Sequence, residues 1–371
     1  MSNTTHTHGH SHGEHPRHYS NIKTRKIAGS QVEITGEISA AEMKRAFKES
    51  LKAFSEQASV PGFRKGHVPQ DVILNKMGEM AVLEHAAEGV LSHEYMHIVV
   101  DHKIEAISRP QIELTKIAKD VPLEFKITVA VFPEVKMPDY KKIAKAEMKK
   151  EEKIEITDKE LDGAIDEIHK TYGKKVETKD AATGATGATG AEKDVKDAPL
   201  APLNDAFVQT LGDFKDVADF KAKLKENMLK EKEYRAKEKK RLQIGENIVA
   251  EMKTELPEVL VSSELAKMWG EFEHNISRMG LKIEDYLKHI KKTREELSKE
   301  WRKDAEKRVS LQIALNRIVS EEKLLPSEAE VTAEVDKILA EHKGADAERA
   351  RAYVEMVLGN ERAFRFLEEQ R

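Results

Sequence analysis

A change of period along the chain constrains its fold more than any other feature. Between residues 22 and 137 apolar and polar side chains alternate in short runs, the period of two that a half-buried strand needs. From Asn204 onward that alternation gives way to apolar spacings of three and four with charges filling the gaps, the pattern of helices with one buried side. A chain so divided is expected to fold as an α+β N-terminal domain followed by an all-α C-terminal body. Composition agrees: charged residues are 35% of the 371 and aromatics 5%, which suits long solvated helices and an elongated, discontinuous body better than one thick core.

The same numbers exclude several function classes. Lys+Arg is 63 and Asp+Glu 67, a net charge of −4, so any basic patch must be local and nothing points to DNA. Without cysteine there is no thiolate catalysis, disulfide or Cys-based zinc site. No apolar stretch approaches the ~20 residues of a membrane span, and the first 20 residues lack a hydrophobic signal core. A cytoplasmic protein without a membrane partner is expected. The leader carries His6, His8, His10, His12, His15 and His18. Clustered imidazoles can bind nickel, zinc or copper, but a flexible segment loses entropy on closing a site. Residues 1–20 are therefore read as a disordered tail that holds metal weakly or not at all.

Residues 22–38 read as a strand with Val32, Ile34, Gly36 and Ile38 on one side. Ser39 and Glu42 form a capping-box signature, and the helix that follows has Met43, Phe47, Leu51 and Phe54 on one side and Lys44, Arg45, Lys48 and Lys52 on the other. After the loop 60–69 a long helix runs from Gln70 to about Val100, then strands over 105–117 and 122–135. Helices packed on one face of a small antiparallel sheet are expected.

The loop itself is unusual. Phe63 sits between two glycines and two prolines, with Arg64 and Lys65 beside it. Glycine permits tight turns and proline stiffens the approach, so the loop can hold an aromatic anchor and two cations at an exposed tip, residue types that dominate binding hot spots. Residues 41–76 hold seven Lys/Arg against four Asp/Glu, a local excess suited to phosphates. A Gly/Pro turn whose phenylalanine tucks into its own core is the plain alternative.

The string Gly62-Phe63-Arg64-Lys65-Gly66-His67-Val68-Pro69 resembles the ribosome-docking signature of bacterial trigger factors, G-F-R-x-G-x-x-P, at every fixed position. The strand before it and the strands after it are similar to the rest of that family's ribosome-binding domain, and the later helices resemble its helical body in order. The resemblance implies that Gly62, Phe63, Arg64, Lys65, Gly66 and Pro69, with Arg45 and Lys48 on the preceding helix, dock on a ribosomal protein and adjoining rRNA at the exit tunnel. It also implies an ATP-independent chaperone of nascent and unfolded chains, with no cofactor, and leaves open a homodimer of the free protein.

Trigger factors usually carry a prolyl isomerase domain inside the body. Here residues 178–199 contain Ala-Thr-Gly three times over, a linker with an r.m.s. span of roughly 25 Å as a Gly-rich coil. Between Tyr140 and Phe207 the only aromatic is Tyr172, too little for a proline pocket, so no isomerase chemistry is expected. The domain plan is a leader (1–20), a ribosome-binding domain (21–137), a connector with the first body helix (138–175), the linker (176–200) and the helical chaperone body (201–371). The remaining histidines suggest neither a triad nor a metal box; His93 and His97 are four apart but unaccompanied. Leu265, Met268, Trp269, Phe272, Ile276 and Met279 form one helical stripe. It reads first as core, with Met268, Phe272 and Met279 the candidates for weak client contact. Two other readings stay open, a ribosome-independent holdase or assembly factor and a residual isomerase.

Overall fold

The computed structural model describes residues 17–61, 63–64, 66–150, 153–180 and 203–370. The expected leader through residue 16 and the Ala-Thr-Gly repeats lie outside the described residues. Two compact units divide the chain, one of residues 1–137 and 252–314, the other of residues 138–251 and 315–371.

The first unit contains a four-stranded antiparallel sheet of order β1-β2-β4-β3. Its strands are β1 (Tyr19–Ile27), β2 (Gln31–Ile38), β3 (Gln111–Lys116) and β4 (Leu123–Ala130). The run expected as one strand over 22–38 is a hairpin. Gly29 at φ 75° and Ser30 at φ 51° turn the chain between β1 and β2, a weak turn signal because serine seldom adopts that region. Down β2 the side chains alternate half-buried and buried, and Val32, Ile34 and Ile38 face Val129, Ile127 and Leu123 of β4. Gly36 faces Phe125: a Cβ there would lie 2.8 Å from the phenyl ring and 2.4 Å from Ile22 Cδ1. The missing side chain is the space the ring fills.

Helices α1 (Ala40–Gln57) and α3 (Glu79–Asp101) cover one face of this sheet. Met43 and Ala46 of α1, and Ala87, Leu91 and Ile98 of α3, complete its core with the inward residues of β2 and β4. Fifteen buried residues form this cluster, and their alternation in the strands and helical spacing in α1 and α3 explain why both elements form. The α+β expectation holds, with local corrections. The capping box of α1 is half made: Ser39 accepts from Glu42 N at 3.3 Å, while the Glu42 carboxylate turns to Arg45. The long helix expected from Gln70 is two, α2 (Gln70–Met77) and α3, because Gly78 stands at φ 85° and ψ 144°, a conformation closed to other residues. The strand expected over 105–117 shrinks to β3, since Pro110 has no N–H to give a ladder; Ala106 keeps a single bridge to Val131.

The same unit includes residues from the second half of the chain. Lys253 pairs with Lys136 in an isolated bridge, and Ser30 Oγ donates to Glu255 O at 2.6 Å. Helices α8 (Glu258–Arg278), α9 (Ile283–Ile290) and the first part of α10 (Arg294–Glu321) follow.

The second unit is helical throughout its described residues. It holds α4 (Tyr140–Met148), α5 (Asp158–Asp180), α6 (Asp205–Leu211), α7 (Val217–Glu251), the end of α10, α11 (Glu328–Glu341) and α12 (Ala347–Glu368). Helix α4, rich in lysine, is capped by Asp139, which accepts from Lys142 N at 3.0 Å. The helical stretch that begins at Asn204 opens with two helices, α6 and α7, parted at Gly212, against which the Phe214 ring packs. Leu161, Ile165, Phe207, Val208 and Phe220 form a core cluster from α5, α6 and α7.

Candidate docking site

The loop after α1 is built outward from a small core. Leu51 of α1, Val68, Ile73 of α2 and Val82 of α3 form a buried cluster, with Phe54, Ala58 and Val60 packed against it. Val60 and Val68 therefore anchor both arms of the loop, and Ser55 Oγ donates to Val68 O at its base. Phe63 N donates to Val60 O at 3.1 Å and His67 N to Arg64 O at 3.0 Å, two tight turns across the tip. Gly66 supports the second turn at φ 83°. Pro69 then begins α2 without needing a donor, its carbonyl accepting from Val72 N at 3.0 Å.

Phe63 is not tucked into the core. It is 42% exposed, while Val68 five residues on is 2% exposed. With the loop's interior already filled by two valines, the ring points to solvent. Arg64 is exposed as well, and no ion pair of its side chain occurs among the described residues. Gly62 and Lys65 lie outside the described residues.

The basic face of α1 is less free than its sequence suggests. Arg45 donates to the Glu42 carboxylate at 3.1 Å and lies 3.8 Å from Glu49. The Glu42 hydrogen bond and charge raise the Arg45 guanidinium above its ordinary value. Lys44 approaches Asp120 at 3.7 Å and Lys52 approaches Glu56 at 4.0 Å. Lys48 is exposed without an ion-pair partner among the described residues. Of the two α1 residues singled out from sequence, Lys48 is available to a phosphate and Arg45 must first exchange a carboxylate for it.

The three client candidates on α8 separate. Met268 is half-buried. Phe272 joins an aromatic cluster, its ring centroid 5.7 Å from Trp269, 5.6 Å from Tyr286 and 5.2 Å from Trp301. Buried Trp269 completes it, donating from Nε1 to Ser298 Oγ at 2.8 Å. Met279 stands at the end of α8, 67% exposed. Sequence reasoning did not single out Val60, Val68 and Ser55, which hold the loop; the alternation of Val68 with His67 and Pro69 is the signal that Val68 points inward. Nor did it find the groove of about 880 Å³ beside the β1–β2 turn, lined by Ile27, Val131, Phe132, Met252, Thr254 and Glu255. Phe132 is 51% exposed there.

Among the described residues no three His, Cys, Asp or Glu side chains gather as a metal ion would need, and no helix is long and apolar enough to cross a membrane.

Comparison with known proteins agrees with this geometry. The family model described as bacterial trigger factor protein matches residues 20–168, and the model for the trigger factor C-terminus matches residues 216–361. A trigger factor of Agathobacter rectalis is 24% identical over 90% of this chain and 90% of its own length. That alignment runs over 399 residues, more than the 371 of this chain, so the relative has residues with no counterpart here. A trigger factor of Moorella thermoacetica is 25% identical over 84% of this chain and 85% of its own. In fold, the chain is similar to a solved structure from work on promiscuous substrate recognition in folding and assembly by the trigger factor chaperone. The TM-score is 0.53 at 16% identity, over 95% of this chain and all of the other. Two family models thus cover most of the chain, one of them spanning the anchored loop with its exposed Phe63: the chain belongs to the bacterial trigger factor family, a family of chaperones.

Proposed function

We propose that this protein docks at the ribosomal exit tunnel through the loop 60–69 and shelters nascent chains by weak apolar contacts, without ATP and without isomerase chemistry. The observation that carries the docking is the exposed Phe63 on a loop whose flanks are pinned by Val60 and Val68. A pre-ordered aromatic tip costs little entropy to bind, and burying one phenylalanine contributes about 1.5–3 kcal/mol. Arg64 and Lys48 add salt-sensitive contacts to rRNA phosphates. The sum suits a dock that must release repeatedly. Gly62, Lys65, Gly66 and Pro69 complete the loop, with Arg45 at its margin.

Clients are nascent and unfolded polypeptides, held on partly apolar surface that includes Met279 and the exposed edges of Met268 and Phe272. Each Å² of apolar surface they bury contributes roughly 25 cal/mol, and release follows as the client folds. The working plan keeps a ribosome-binding domain (21–137), a connector with the first body helix (138–175), a linker (176–200) and the rest of the chaperone body (201–371), acting in the cytoplasm. The stretch between the two family matches, 169–215, is shorter than an ordinary domain and brings only Tyr172, Phe207 and Phe214 as aromatics, two of which are already in the core of the second unit. A proline-turnover assay on a model peptide is expected to show the uncatalysed rate; acceleration by the protein would overturn that part.

Docking is tested by co-sedimentation with ribosomes at low and moderate salt, beside a Phe63→Ala/Arg64→Ala/Lys65→Ala variant. The intact protein is expected to pellet and the variant to stay in solution. Equal pelleting of both would place binding elsewhere. Pelleting of neither would make the protein a ribosome-independent holdase.

A further inference from the structure

We propose, on the reading of this chain as a holder of unfolded polypeptides, that the groove beside the β1–β2 turn is a client subsite for extended segments in which a side-chain carboxylate neighbours bulky apolar residues. Its volume of about 880 Å³ is in the size class of sites that bury most of a ligand. Hydrogen bonds order its walls before any client arrives. Val131 N donates to Ser30 O at 2.9 Å, Ser30 Oγ donates to Glu255 O at 2.6 Å, and Gly29 N donates to the Glu255 carboxylate at 3.0 Å. A groove already ordered leaves only the client to lose entropy on binding.

The apolar part of the groove is Ile27, Val131, Phe132 and Met252. Val131 packs against the sheet core, whereas Phe132 is 51% exposed. A single exposed phenylalanine is ordinary; the charge around this one is not. Lys136 and Lys253 exchange both backbone hydrogen bonds, Lys136 N to Lys253 O at 3.0 Å and Lys253 N to Lys136 O at 3.2 Å. Residues directly opposed in an antiparallel pair send their side chains to the same face, with Cβ atoms about 5 Å apart, and like charges there repel. Both lysines line the groove and are exposed, and neither forms an ion pair among the described residues.

The two carboxylates of the lining are already engaged. Glu134 pairs with Lys26; that hydrogen bond, with a smaller pull from the charge of Lys136, lowers the Glu134 carboxyl. Glu255 accepts from Gly29 N. The groove therefore offers two adjacent ammonium groups without a countercharge, next to an exposed phenyl ring. A carboxylate between them removes their repulsion and gains charge-assisted hydrogen bonds, while its apolar neighbours cover Phe132. A nucleic acid fits less well, because its phosphates recur along the strand and would meet the apolar wall and the two glutamates.

Isothermal titration of the intact protein with a short acetylated and amidated peptide tests this. The peptide carries Leu, Val and Phe around a pair of aspartates, and its twin has asparagines instead. At low salt the aspartate peptide is expected to bind roughly fivefold tighter, the scale of a pair of exposed ion pairs, and the preference should fade at high salt. A Lys136→Gln/Lys253→Gln variant should bind the two peptides equally. A Phe132→Ala variant should bind both roughly tenfold more weakly, the loss of one apolar contact, with far-UV circular dichroism checking that each variant is folded. Equal binding of both peptides by the intact protein, or a preference that survives in the lysine variant, would overturn the proposal. So would displacement of the aspartate peptide by a short single-stranded RNA, or a sedimentation coefficient that falls in the Phe132→Ala variant, which would put a second copy of the chain in the groove. If the intact protein keeps a denatured enzyme from aggregating yet shows no aspartate preference, the client reading stands and the groove assignment is wrong; if it neither holds the enzyme nor binds either peptide, both are wrong.

Discussion

Glu330 shows how one side chain fixes the start of a helix and makes it sensitive to acid. Ser327 caps α11, accepting from Glu330 N at 3.4 Å, and the Glu330 carboxylate accepts in return from Ser327 N at 2.8 Å and from the Ser327 hydroxyl. Arg362 of α12 donates to the same carboxylate at 2.6 Å. The serine bonds first and Arg362 second lower the Glu330 carboxyl from 4.5 to about 2. A lowered folded-state value means the charged form supports folding above the ordinary carboxylate range, and this support is lost as pH falls from about 4.5 toward about 2. A Glu330→Gln variant should thus melt below the parent near neutral pH, with the Tm gap closing toward pH 2. A gap constant across thermal melts from pH 7 to pH 2 would show that the carboxylate charge plays no part. Glu160, lowered to about 2 by Lys232 and by the Thr157 cap, repeats the arrangement at the start of α5.

Between elements, the second unit relies on a few charged residues placed where helices meet. Arg241 of α7 grips two carboxylates of α12, Glu361 through two nitrogens at 2.8 Å and 2.9 Å and Glu368 at 2.6 Å. The Glu361 and Glu368 bonds hold its guanidinium above the ordinary value against some burial. Only 12% of the Arg241 side chain is exposed and 16% of Glu368, so removing the arginine strands carboxylates that are partly out of water. An Arg241→Met variant should lose about 2 kcal/mol, the scale of charged hydrogen bonds left unmade, read from urea unfolding. A loss below about 0.5 kcal/mol would place this network with ordinary surface pairs. Tyr140 of α4 works similarly, donating to Glu322 at 2.6 Å, and burial with the nearby carboxylates raises its phenol.

For the whole molecule, two separate cores predict more than one unfolding step. Trp269 and Trp301 are the only tryptophans; their rings lie 4.9 Å apart within the first unit. Tryptophan emission therefore reports that unit alone, whereas far-UV circular dichroism also sees α4–α7, α11 and α12. Units with their own cores need not melt together. In urea, the fluorescence and dichroism midpoints should differ; superimposable curves would show that the two units behave as one cooperative block.

The sequence by itself determined the class of the fold, the inward faces of the N-terminal strands and the helix that follows Ser39. Alternation at Val32, Ile34 and Ile38, and the stripe Met43, Phe47, Leu51, are set by local geometry, since a strand repeats every two residues and a helix every 3.6. The loop 60–69 was legible as an exposed aromatic tip for a similar reason: its glycines, prolines and single aromatic are local choices. What only the tertiary structure decided depends on partners distant in the chain. Phe63 is exposed because Val60 and Val68 already fill the loop's base, a matter of volume that no spacing encodes. Gly36 is needed because Phe125, 89 positions away, occupies its side-chain space. Glu42 abandons half of its capping box for Arg45 and His18, and residues 252–314 group with residues 1–137, because burial and charge pairing are settled by whatever surfaces folding brings together, at any separation along the chain.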